Sequence, residues 1–171
     1  IAAHMAGLPT NVTEGEKAAG EDANTRDLLR WLRDTELILP PMSQYHYSNV
    51  GYAVMGHVLS VIGGMPYRKL LRHRIIDPLG LKSATFELKN VPKDRLAIGY
   101  RPYDEEGPKN GRPLRTAIHK DPGITAPVGG LYGSVLDLAK FVSWQFYKGA
   151  RAPDRPLGTL ALREMHAPVA V

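Results

Sequence analysis

Gln44-Tyr45-His46-Tyr47-Ser48-Asn49-Val50-Gly51-Tyr52 is the stretch on which the reading of this 171-residue chain turns. It places a Tyr and an Asn two residues apart, just before an apolar helical pattern. In extended backbone side chains alternate, so Tyr47 and Asn49 share one side and Ser48 faces the other. A phenol can accept or pass a proton, and an amide can orient a carbonyl. The two side chains can therefore point into one cleft, and the pair matters only if a nucleophile sits opposite it. Two plainer readings stand beside it. Tyr47 can be a core tyrosine whose hydroxyl makes a structural hydrogen bond, and Asn49 can be the N-cap of the helix. Ser48 lies in no Gly-x-Ser-x-Gly elbow and is a poor nucleophile candidate.

Working outward, a helix is expected from Asn49 to Ile62, with Val50, Val54, Val58 and Ile62 (or Ala53 and Val61) toward the core. Gly63-Gly64 stops it. Upstream, residues 8–24 read as a surface loop, and Thr25 as the N-cap of a helix with Leu28, Leu29 and Leu32 on one face. Downstream, Pro66 opens a helix over Tyr67–Ile76. From Leu81 to Pro127 recurrent Pro and Gly break the pattern. Short strands fit near Arg95–Arg101 and Leu114–Ile118, paired across a turn at Asp104–Gly111. Ser134 and Asp137 read as a capping box with Asp in place of Glu. They open a helix through Phe146 that stops at Gly149, and a last helix covers Thr159–Met165. Trp31 and Trp144 read as core. The expectation is a predominantly α chain with a few short strands (α+β) and no internal repeat.

Composition bounds the function. The apolar share is 43% and the formal charge +5, an ordinary globular balance. Arg26, Arg30 and Arg33, and then Arg68, Lys69, Arg72 and Arg74, read as solvated helix faces. No nucleic-acid module or stacking aromatics accompany them, so no nucleic-acid partner is expected. There is no Cys, which excludes disulfides and thiolate metal sites. The histidines show no paired ligand spacing, so no metal or cofactor site is expected. No apolar run is long enough to span a membrane.

Four segments in order resemble the serine β-lactamase and penicillin-binding-protein superfamily, in the branch of class C β-lactamases and their esterase relatives. Tyr47-Ser48-Asn49 resembles its Tyr-x-Asn motif. His4-Met5-Ala6-Gly7-Leu8-Pro9 is similar to its His-Thr-Ser-Gly-Leu-Pro segment, with Met5 and Ala6 in place of Thr and Ser. Ile75-Ile76-Asp77-Pro78-Leu79-Gly80-Leu81 is similar to its Pro-Leu-Gly loop. Gly129-Gly130-Leu131-Tyr132-Gly133-Ser134, with Asp137-Leu138-Ala139-Lys140-Phe141, is similar to its Gly-Gly-Leu-x-Ser-Thr-x-x-Asp-Leu-Ala-Arg-Phe run.

The resemblance implies a helical region of the serine β-lactamase-like fold. It implies a parent enzyme that hydrolyses a small ester or amide through an acyl-enzyme, in a periplasmic or secreted setting. Tyr47 would take part in proton transfer, helped by a neighbouring Lys, because a free phenol titrates near 10. Asn49 would hold a substrate carbonyl, Leu131 and Tyr132 would sit at the cleft rim, and His4 would be mainly structural. The family also needs a Ser-x-x-Lys and a Lys-Thr-Gly or His-x-Gly strand. Three residues beyond Ser43, Ser48, Ser60, Ser83, Ser134 and Ser143 stand His46, Gly51, Gly63, Phe86, Asp137 and Phe146. None is Lys, and Lys82-Ser83-Ala84 lacks the Gly and reads as the start of a loop or helix. Residues 1–171 are therefore expected to be one partial domain, inactive alone, with an apolar docking face that invites self-association. A non-catalytic binding protein and one half of a split enzyme remain as alternatives.

Overall fold

The computed structural model describes residues 1–11, 24–101, 114–115, 121–146 and 156–168. The first helix, α1 (Thr25–Arg33), is capped by Asn24 rather than Thr25. Asn24 accepts from the Arg26 N–H at 2.8 Å, and its own N–H donates to Asp27 at 3.0 Å. This reciprocal box satisfies donors that the first turn leaves open, which a hydroxyl at position 25 would not do in that register. Leu28 is buried, while Leu29 lies exposed on the other side of the helix.

Helix α2 (Asn49–Gly63) ends on Gly64, whose φ of 62° and ψ of 20° place it in the left-handed region expected of a C-cap. Its buried stripe is Val50, Gly51, Ala53 and Gly56. Val58, Val61 and Ile62, expected in the core, are exposed, Ile62 at 78%. Small residues win the buried side because the neighbouring helix comes very close. A Cβ on Gly56 would lie 2.0 Å from Pro127 Cγ. Pro127 belongs to α4 (Ala126–Gly129), the helix that packs on α2.

After Pro66, α3 (Tyr67–Leu71) runs directly into a wider π-helical turn over Arg72–Ile76. The core lies under this junction: Ile76, Leu81, Ala84, Phe86 and Ala126 cluster, with Tyr67, Leu71 and Leu79 against them. Tyr67 meets Phe86 edge-on at 5.9 Å. Arg68, grouped by sequence with a solvated face, instead spans 53 positions to Asp121 at 2.9 Å and lies over Phe86 at 6.0 Å. Its guanidinium holds the Asp121 carboxyl well down, at about 2.

The strands are short. β1 (Tyr100–Arg101) and β2 (Leu114–Arg115) pair antiparallel, Tyr100 opposite Arg115 and Arg101 opposite Leu114. Residues 95–99 are turn and irregular backbone. The expected turn at Asp104–Gly111, the end of the second strand, the helix stop at Gly149 and most of the loop over 8–24 lie outside the described residues. Helix α5 (Val135–Phe146) buries Asp137 and Trp144 and exposes Val135, Leu136, Leu138 and Phe146. Helix α6 (Thr159–His166) buries Leu162. Among the described residues no helix is long and apolar enough to cross a membrane.

Gly56→Ala is expected to destabilise the chain by about 1–3 kcal/mol through overpacking against Pro127. Urea unfolding followed by circular dichroism measures it. Combining it with Pro127→Ala should recover part of the loss, and a neutral Gly56→Ala would refute the close α2–α4 packing.

Candidate functional site

The Tyr47–Asn49 segment is held by the segment that contains His4 and Pro9. Ser48, in extended backbone (φ −138°, ψ 113°), is the N-cap of α2. Its hydroxyl accepts from the Gly51 N–H at 2.9 Å and donates to the Pro9 carbonyl at 2.7 Å. Its single proton is therefore committed, and the residue is buried, so it is no nucleophile here. The cap is Ser48 and not Asn49. Asn49 is the first helical residue, and its side chain is left for other work. The Asn49 N–H donates to the Thr10 carbonyl at 2.8 Å, and the Thr10 hydroxyl donates to the Tyr47 carbonyl at 3.0 Å. Thr10 also meets His46 Nε2 at 3.2 Å, which gives that histidine a fixed loop position.

Tyr47 is half exposed, with its ring against His4 at a centroid distance of 4.5 Å. Asn49 turns into a cleft of about 390 Å³ lined by Leu28, Trp31, Val50, Thr125, Val128, Gly129 and Gly130, among others. One proton of its amide goes to Asn11 Oδ1 at 2.7 Å. An amide nitrogen carries two protons, so the second can serve a carbonyl in the cleft. Gly130 leaves room for Pro122, since a Cβ there would lie 2.5 Å from Pro122 Cγ.

Leu131 and Tyr132 stand elsewhere. Both line a second pocket of about 640 Å³, with Arg72, Lys82 and Arg95. A two-way backbone bridge between Thr85 and Tyr132, at 3.0 and 2.8 Å, turns them that way. Burial and the nearby Asp121 carboxylate push the Tyr132 phenol up. At this point of the chain the residues that reach the Asn49 cleft are Gly129 and Gly130. Trp31, read as core, also lines that cleft. The available signal was its i, i+3 spacing from Leu28, which puts both on one helix face.

The sequence also gave no sign of the clasp behind the Gly129–Ser134 segment. Asp137 does not close a capping box. Its carboxylate accepts from the Ser83 N–H at 2.7 Å, the Ser83 hydroxyl at 2.6 Å and Lys140 at 3.1 Å. The Ser134 N–H goes to Ser83 Oγ at 3.2 Å instead. These donors, Ser83 foremost, hold the buried Asp137 carboxyl down at about 2. Only one half of the box survives, a long 3.3 Å contact from the Asp137 N–H to Ser134.

With this geometry in place, comparison with known proteins decides the family. The Beta-lactamase family model matches residues 1–169. The chain belongs to the Beta-lactamase family. It is 31% identical over 145 residues to the unguisins hydrolase ungD of Aspergillus violaceofuscus, covering 83% of this chain and 25% of that protein. It superposes on the β-lactamase/D-alanine carboxypeptidase of Pseudomonas syringae with a TM-score of 0.62 and 25% identity, over 90% of this chain and 39% of that one. The octameric penicillin-binding protein homologue of Pyrococcus abyssi matches with a TM-score of 0.71 at 24% identity, over 98% of this chain and 37% of that one, and shows the fold. The chain thus spans about a quarter of the curated relative and under two fifths of these two structures. The β-lactamase-family chain is a helix-rich region of the serine β-lactamase fold.

Two outcomes follow. Ser48→Ala removes the α2 cap and is expected to cost about 1–2 kcal/mol in urea unfolding; no loss would refute the clasp. Asp137 contributes stability that is present above its ordinary value of 3.8 and is lost as the pH falls toward about 2. Asp137→Asn should therefore flatten stability between pH 4 and 2, measured as urea midpoint against pH, and lower it by about 1–3 kcal/mol at neutral pH. An unchanged acid limb would contradict the Ser83–Asp137 assignment.

Proposed function

We propose that residues 1–171 are a partial domain forming the tyrosine–asparagine wall of a serine hydrolase that works through an acyl-enzyme. The observation that carries this reading is the Tyr-x-Asn segment clasped by the His4–Thr10 segment, with Asn49 in one cleft with Gly129 and Gly130. The names of the relatives, a hydrolase and a β-lactamase/D-alanine carboxypeptidase, support a hydrolase; small esters or amides are the substrates that the four-segment resemblance implies. A serine hydroxyl would add to the substrate carbonyl, losing its proton to Tyr47. Tyr47 would then hand that proton to the leaving group, and water would release the acyl ester. Asn49 would donate its spare amide proton to a substrate carbonyl.

The serine and its lysine belong to a Ser-x-x-Lys that these residues do not include. Without that ammonium Tyr47 lacks the cation that would activate it, so the chain alone should not turn over. The exposed apolar residues of α2 and α5 would pack against the rest of the hydrolase, and would self-associate in its absence. The same missing motif favours a second reading, a cleft that binds small amides without chemistry.

Intact mass after exposure to a fluorophosphonate and to a penicillin separates these. The chain alone should show no adduct. Mixed with a polypeptide that carries the Ser-x-x-Lys region of a family member, it should direct an adduct to that serine. Tyr47→Phe should slow this labelling by about 100-fold or more. An adduct on the chain alone would overturn the missing-nucleophile reading. Failure of every complementing polypeptide, with saturable ligand binding, would favour the binding protein.

A further inference from the structure

We propose that neutral His4, carrying its proton on Nε2, is the positioning residue that sets the Tyr47–Asn49 segment, and that protonating it frees the segment. The proposal deepens the Tyr47 reading above and rests on it. A single ring reaches both parts of the segment. His4 Nδ1 accepts from the Ser48 N–H at 3.0 Å. A backbone amide keeps its proton, so Nδ1 must offer a lone pair and the ring proton must sit on Nε2. The same ring packs on Tyr47 at 4.5 Å and on Tyr52 at 5.0 Å, and meets Tyr45 edge-on at 5.6 Å.

The backbone is as constrained as the ring. His4 has φ 56°, a left-handed conformation uncommon outside glycine. Its N–H donates to the Ile1 carbonyl and its carbonyl accepts from the His46 N–H, both at 2.8 Å. Together with the Ser48 bond this fixes the ring from two directions. Strain of this sort persists where surrounding contacts over-determine it.

An imidazolium would aim an Nδ1–H at the Ser48 N–H, donor against donor, and the bond would be lost. Among the described residues the titratable groups facing the ring are Tyr45 and Tyr47 from the loop and Tyr52 from α2, with His46 held at Thr10. None of these is a carboxylate that would counter the new charge. The tyrosine faces attract a cation, so the ring stays stacked while Ser48 is released. The Ser48 hydroxyl still caps α2 through Gly51, so the helix stays folded and only the segment before it loosens. Tyr47 and Asn49 then lose their common register, and the site works only with His4 neutral.

Nuclear magnetic resonance on the isotope-labelled chain tests this without needing turnover. A long-range proton–nitrogen spectrum should show the Nε2–H tautomer. On lowering the pH, the Ser48 amide protection factor should fall at least tenfold and the Tyr47 ring signals should shift, both with the midpoint of the His4 ring protons. Amides deeper in α2 should keep their protection. His4→Asn retains an acceptor, tolerates the positive φ and cannot be protonated, so it should keep Ser48 protected at every pH. His4→Phe keeps an aromatic ring and loses the acceptor, so Ser48 should be poorly protected throughout.

An Nδ1–H tautomer, Ser48 and Tyr47 signals that ignore His4, or an unchanged titration in His4→Asn would each overturn the proposal. Should a variant lose protection throughout α2, the wild-type titration decides. If Tyr47 follows His4 but Tyr47→Phe leaves labelling of the complemented enzyme unchanged, the positioning stands and the catalytic reading of Tyr47 falls.

Discussion

The buried hydroxyl of Ser48 is the interaction on which the rest of this structure depends. It ties Pro9 to the first turn of α2, and its committed geometry settles what its neighbours can do. Because Ser48 faces inward as the cap, the flanking residues face away from it. Asn49 enters the cleft with its side chain free of capping duty, and Tyr47 emerges against the ring of His4.

The opposite wall is held by different means. Gly129 and Gly130 end α4, which lies against α2 because Gly56 leaves room for Pro127. Behind them the chain is pinned twice. The Thr85–Tyr132 bridge fixes the backbone, and the Ser83–Asp137–Lys140 cluster anchors the start of α5. Arg68 draws Asp121, and with it the approach to α4, onto α3. Of these, the Asp137 carboxylate is nearly dry and fully satisfied, the condition under which a buried charge is tolerated. The cleft therefore has one wall set by neutral hydrogen bonds and one set by ion pairs, whose carboxylates, held at about 2, keep their charge well into acid.

Local signals were legible in the sequence, and distant partners were not. Gly63-Gly64 ended α2 where a left-handed cap was needed, and Pro66 opened α3, because a cap or a proline acts within one turn. Ser48 against Asn49 as the cap was not decidable locally, since both residue types cap well, and the decision lies with Pro9, 39 positions away. Arg68 and Asp137 were misassigned because their partners, Asp121 and Ser83, lie 53 and 54 positions off. Leu131 and Tyr132 follow the Thr85 bridge, which no spacing encodes. The exposed Val58, Val61 and Ile62 show that a helical apolar period marks a face without saying what covers it.

The central claim is that Asn49 offers its second amide proton to a carbonyl in the cleft it shares with Gly129 and Gly130. The most direct measurement is a titration of the nitrogen-labelled chain with a small D-amino-acid amide, followed by amide shifts. The account predicts that the Asn49 side-chain amide and the Gly129 and Gly130 N–H signals move together along one saturable curve. Shifts confined to Leu131, Tyr132 and the basic pocket beside them, or no saturable shift at Asn49, would contradict it.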